Sequence, residues 1–140
     1  IRSFVVPDSL LGKHSQAYRL RMRALLTGRN YNSRLAAARE LVIQSRAAAV
    51  KQLAKEVGWQ GKAIYDHDPT RASTIQGNHT ITIRSHAFYE PGGLKSVFLH
   101  EMAHSRLPLW ATESQVDFEA VRIAEEVFGN ANDIVLPFVD

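Results

Sequence analysis

Leu94-Lys95-Ser96-Val97-Phe98-Leu99-His100-Glu101-Met102-Ala103-His104 holds the most specific chemistry in this chain of 140 residues. Leu94, Phe98, Leu99, Met102 and Ala103 recur at the three- and four-residue spacings of one helix face, which predicts a helix over 94–105 that ends before Pro108. His100 and His104 are four apart, so they stand one turn above each other on a flank of that face. Two neutral imidazoles so placed can hold one zinc ion, and Glu101, offset toward solvent, can reach water at the metal. The alternative, two core histidines, would require an internal polar partner for each ring.

A catalytic zinc takes three protein ligands and leaves one position open. The carboxylates that follow are Glu113, Asp117 and Glu119. The turn 106–111 is short, so the next helix must fold back beside the first. Thr112 with Gln115 three residues later predicts a capping box for a helix to about Phe128, closed by Gly129. Glu113 then occupies the first helical position, with Asp117 one turn later on the same face. That pairing makes Glu113 the expected third ligand. Asp117 is expected to accept a ring N–H from a liganding histidine and so fix its tautomer. A lone Glu113 would instead be an acidic residue favourably placed at a helix N-terminus.

Composition narrows the rest. The length suits one domain, read as a basic helical extension over 1–32, a core over 33–128 and a tail over 129–140. No cysteine is present, which removes disulfides, thiolate ligands and a cysteine nucleophile. No apolar run approaches the length of a bilayer span, and no membrane partner is expected. Ile1 in place of Met suggests a domain released or excised from a larger polypeptide, with an effector or toxin module as one setting. The opening residues lack a secretory signal core. With no cysteine either, a cytoplasmic location is favoured over a secreted or delivered one.

Upstream, residues 9–26 include a predicted helix ended by Thr27-Gly28-Arg29-Asn30. Asn32 or Ser33 is expected to cap a long helix to Val57, closed by Gly58. Its apolar stripe is read as Leu35, Ala38, Val42, Ala49, Val50, Leu53 and Val57, with Arg39, Arg46 and Lys51 facing away. After Gly58 the chain turns β-branched. Ala63-Ile64-Tyr65 predicts a short strand and Asp66-His67-Asp68-Pro69 a turn. Ala72–Gln76 and His79–Arg84 read as two strands of a hairpin about Gly77-Asn78. The apolar tail 134–139 is expected as an edge strand or extended segment.

His100-Glu101-Met102-Ala103-His104, followed on the next helix by Glu113 and Asp117 in a Glu-x-x-x-Asp pattern, resembles the gluzincins, the thermolysin-like branch of the zincin metallopeptidases. Leu107-Pro108-Leu109-Trp110-Ala111-Thr112-Glu113-Ser114 is similar to the Leu-Pro-x-Trp-Leu-x-Glu-Gly stretch of many small zincins and aminopeptidases, whose Glu is a zinc ligand. In a second alignment, Asp117-Phe118-Glu119-Ala120 through Ile123-Ala124 is similar to the Glu-x-Glu-Ala stretch of ImmA/IrrE-type metallopeptidases. That register makes Asp117 the third ligand instead. The resemblance spans about residues 33–128. It implies an α+β, minimal zincin-like domain with a long backing helix and a small, mostly antiparallel sheet. The HExxH helix and the ligand-bearing helix complete it. His79–Arg84 is then the edge strand to which a peptide substrate adds.

The implied activity is that of a zinc metalloprotease, an endopeptidase with Glu101 as general base toward water and proton donor to the leaving amine. Gluzincins also use a histidine or tyrosine outside the motif to stabilise the oxyanion. His86 and Tyr89 are the candidates, followed by His67 and Arg106, whereas His14 and His79 have no assigned role. The short chain favours extended or unfolded protein segments as substrate.

Charge supplies the rival readings. Residues 1–60 carry eleven Lys/Arg against three acidic residues, whereas 61–140 carry six against eleven. The basic half could serve a nucleic-acid-associated regulatory protein that includes a metallopeptidase module. It has no aromatic interleaving or binding motif, so a solvated face is favoured over a nucleic-acid partner. A non-catalytic zinc-binding domain is the remaining alternative.

Overall fold

A computed structural model describes residues 14–67, 74–76 and 79–135. The chain forms two compact units, Ile1–Ala48 and Ala49–Asp140, with the division inside the long helix that spans 31–56.

In the first unit, α1 (Gln16–Thr27) begins at Ser15, whose hydroxyl accepts the Tyr18 N–H. After a short connection, α2 (Tyr31–Glu56) follows. Its cap is Asn30 and not Asn32 or Ser33: the Asn30 side chain accepts the Ser33 N–H at 3.2 Å. An asparagine oxygen at this position satisfies one of the donors that the first helical turn leaves open. Met22 and Leu26 of α1 pack against Ala37 and Leu41 of α2. Leu35 and Ala49, expected in the stripe, are exposed. In so alanine-rich a helix the apolar periodicity is too weak to specify the buried face, and packing selects Ala37 and Leu41.

The second unit contains the end of α2, a three-stranded sheet and two further helices. β1 (Lys62–Asp66), β2 (Thr74–Gln76) and β3 (Thr80–Arg84) lie in the order β1-β3-β2. β1 runs parallel to β3 and β2 antiparallel to it, so the sheet is mixed and not mostly antiparallel. β3 is therefore central, which corrects its assignment as the edge strand. Apolar and hydroxyl side chains alternate along Thr80–Ile83. Thr82 and Arg84 are buried as well as Ile81 and Ile83, the pattern of a strand enclosed on both sides. The Gly77-Asn78 turn and the residues after His67 in the first turn lie outside the described residues.

A 3₁₀ turn, Ser85–Phe88, leads from β3 toward α3 (Gly93–Arg106), and α4 (Glu113–Phe128) follows. The Thr112 hydroxyl accepts the Gln115 N–H, and the Gln115 side chain accepts the Thr112 N–H, completing the expected capping box. Gly129 closes α4 at φ +81°, in the left-handed region that suits glycine. Val50, Leu53 and Val57 of α2, Ile81 and Ile83 of β3, Phe98, Leu99 and Met102 of α3 and Val116, Ala120 and Ile123 of α4 share one core.

Residues 134 and 135 belong to no strand. The Val135 N–H donates to Ser96 Oγ, and Lys95 pairs with Asp133 at 3.0 Å, which ties the chain after α4 to the start of α3. The rest of the apolar tail lies outside the described residues. Among the described residues, no helix is long and apolar enough to cross a membrane.

Candidate metal centre

α3 and α4 are joined only by residues 107–112 and pack side by side. Their shared core anchors one face of each helix, leaving a flank of α3 opposite the first turns of α4. His100 and His104 project from that flank with ring centroids 4.9 Å apart and planes at 81°. Glu113, at the first position of α4, faces both rings. Its carboxylate lies 3.0 Å from His100 Nε2 and 3.8 Å from His104 Nε2. One ligand atom from each of the three residues falls within 4.8 Å of the other two.

Asp117 lies one turn further along α4, almost fully buried, with Oδ1 3.0 Å from His100 Nδ1. A carboxylate can only accept, so Nδ1 donates its N–H to Asp117, and Nε2, 3.0 Å from the Glu113 carboxylate, is the ring atom left to hold a proton or a metal ion. The two acidic residues thus meet opposite sides of one imidazole. Glu113 shares the ligand group, while Asp117 stands behind the ring. The polar pairing also compensates for the desolvation of a buried carboxylate, a cost of several kcal/mol if left unpaired.

Glu101 is half-buried and not offset into solvent. Burial pushes its carboxyl up to about 7. His100 opposes that rise, while Glu113 and Glu90 add to it. His104 is held below the usual histidine range, first by burial and then by His100, with Glu113 and Asp117 pulling the other way. Glu90 carries no signal of its own in the sequence. Nothing in the sequence ties it to Glu101, because the 3₁₀ turn and the bend after it bring it there.

The remaining candidates are dispersed. His86 Nδ1 is 3.0 Å from Glu90 Oε1, and Tyr89 is exposed. His67 Nδ1 meets the Tyr65 hydroxyl at 2.7 Å. Arg106 turns to Glu119 and Glu126 on α4. His14 stacks on Tyr18, and the His79 carbonyl accepts the Lys62 N–H. The chain matches no protein-family model, no curated protein and no solved structure. The site is therefore read from its own residues.

Proposed function

We propose that this chain is a zinc-dependent metallopeptidase of minimal zincin-like architecture, with His100, His104 and Glu113 as ligands and Glu101 as its acid–base residue. The observation that carries this reading is the convergence of two imidazoles and a carboxylate within 4.8 Å, backed by Asp117 at His100 Nδ1. Ligands about 2.0–2.1 Å from a tetrahedral zinc stand about 3.3 Å from one another. Glu113 stands 3.0 and 3.8 Å from the two imidazole nitrogens, to either side of that value, and all three ligand atoms lie within 4.8 Å of one another. A nitrogen- and oxygen-donor set of three, carried on two packed helices, suits zinc better than a hard cation that prefers all-oxygen coordination.

Zinc bound there would supply a Lewis acid that makes water nucleophilic near neutral pH and polarises a peptide carbonyl. The chain's own residues do the rest. Asp117 holds the His100 ring in one tautomer and orientation. Glu101, next to His100 in sequence and sheltered from solvent, can take a proton from water and return it to the departing amine. The substrate is a polypeptide in extended form. With β3 between its neighbours, a peptide adding to the described sheet must use β1 or β2.

Metal analysis paired with Glu101→Gln tests this. The purified protein should hold one equivalent of zinc, and His104→Ala should lose it. Glu101→Gln should keep the metal but fail to cleave an unfolded protein such as reduced casein. Zinc binding without cleavage by the parent chain would leave a non-catalytic zinc domain.

A further inference from the structure

The connection between the two ligand-bearing helices contains a tight turn, Pro108–Ala111, in which the Ala111 N–H donates to the Pro108 carbonyl at 3.0 Å. Leu107 and Ala111, at its two ends, pack against the core. The two residues at its tip do not. Leu109 is 103% exposed and Trp110 85% exposed, so neither contributes to the core that holds the turn in place. A pinned turn that displays a leucine and a tryptophan in water is a preformed apolar surface, and its position beside the metal ligands gives it a use.

We propose that Leu109 and Trp110 form the specificity platform of the metal centre, receiving an apolar side chain of an extended peptide within one or two residues of the scissile bond. This rests on the metallopeptidase reading. Trp110 is three residues before Glu113, so their Cα atoms are at most about 10 Å apart. The indole reaches several ångströms beyond its own Cα. An extended peptide advances about 3.3 Å per residue, which keeps the side chains flanking a metal-held carbonyl within that span. Tryptophan suits the task because it offers a large rigid face at little entropic cost.

The occupant follows from the chemistry of the tip: a leucine and a tryptophan displayed in water favour an apolar substrate side chain and offer a carboxylate no charged partner of their own.

The test uses zinc-loaded full-length Glu101→Gln, which should bind without cutting, with and without Trp110→Ser. The probes are capped octapeptides that differ at one central position, Leu, Ala or Glu. The Leu peptide should shift tryptophan emission to the blue and bind about tenfold or more tighter than the Ala peptide, with Glu weakest. Trp110→Ser, at equal zinc content, should lose both the shift and the preference. Equal binding of all three peptides by the parent, or an emission shift produced by vesicles and not by peptides, would overturn the platform. Discrimination among peptides by a Glu101 protein that cuts none of them would support the platform and sink the metallopeptidase reading. Equal cleavage of the Leu and Ala peptides would do the reverse.

Discussion

Glu101 carries the clearest energetic signature of the site. In an unfolded chain its carboxyl titrates near 4.5, and in the folded chain burial and the nearby Glu113 and Glu90 raise it to about 7 against the pull of His100. Between those values the folded form holds a proton that the unfolded form has released, so stability falls as pH rises through that window. The upper bound is on the order of 3 kcal/mol. Without metal, Glu101→Gln should melt at a higher temperature than the parent at pH 8 and at the same temperature below pH 4.5. Zinc should narrow the gap at pH 8, because a nearby cation favours the carboxylate. Melting curves across pH check this, and a gap that ignores pH would remove the burial account. Asp117→Asn keeps the size but loses the charge behind His100, and should weaken zinc binding by about 10–100-fold, measured by competition with a chelating dye. Unchanged affinity would reduce Asp117 to a paired core carboxylate. At this scale the two pairs, His100 with His104 and Glu113 with Asp117, were legible, because helical spacing aligns each within its own helix, while the packing of α3 on α4 brings the pairs together. The burial of Glu101 was not, since it arises from segments that the motif does not contain.

Among the elements, β3 depends on a close approach that only glycine permits. A Cβ on Gly61 would overlap the His79 carbonyl, which accepts the Lys62 N–H where the parallel β1–β3 ladder begins. Gly61→Ala should cost about 1–3 kcal/mol by forcing those backbones apart. At Gly129 the φ of +81° disfavours a side chain but nothing lies within 4 Å, so Gly129→Ala should cost about 1 kcal/mol. Urea midpoints for the two variants give the order, and a larger loss at Gly129 would contradict the steric argument. The helices bearing the site were readable from local signals, above all the Thr112–Gln115 box and Gly129. Strand order was not. Whether Thr80–Arg84 lies at the edge or the centre depends on its pairing with Lys62–Asp66, eighteen positions earlier, and no local pattern records that partner.

For the molecule as a whole, the two units should respond differently to metal. All three proposed ligands belong to the second unit, on α3 and α4. Zinc at about a thousand times its dissociation constant would stabilise that unit by about 4 kcal/mol. Amide hydrogen exchange should therefore slow across 93–128 when zinc is added, while the amides of α1 remain as they were. Equal protection of Met22 and Leu99 would show that the units open as one. The division itself escaped the sequence, because α2 continues through residue 48 without a break in its helical signals.

The sequence by itself determined the helices that carry the site, the Thr112 cap, and the pairing of His100 with His104 on one helix and of Glu113 with Asp117 on the next. Each depends on spacings of three or four residues within one element. Only the tertiary structure decided that β3 is central, that Glu101 is sheltered, that Glu90 acts on it and that the Leu109–Trp110 tip stands free. Those are outcomes of contact between segments far apart in the chain, where burial and pairing energies choose among local patterns that look alike.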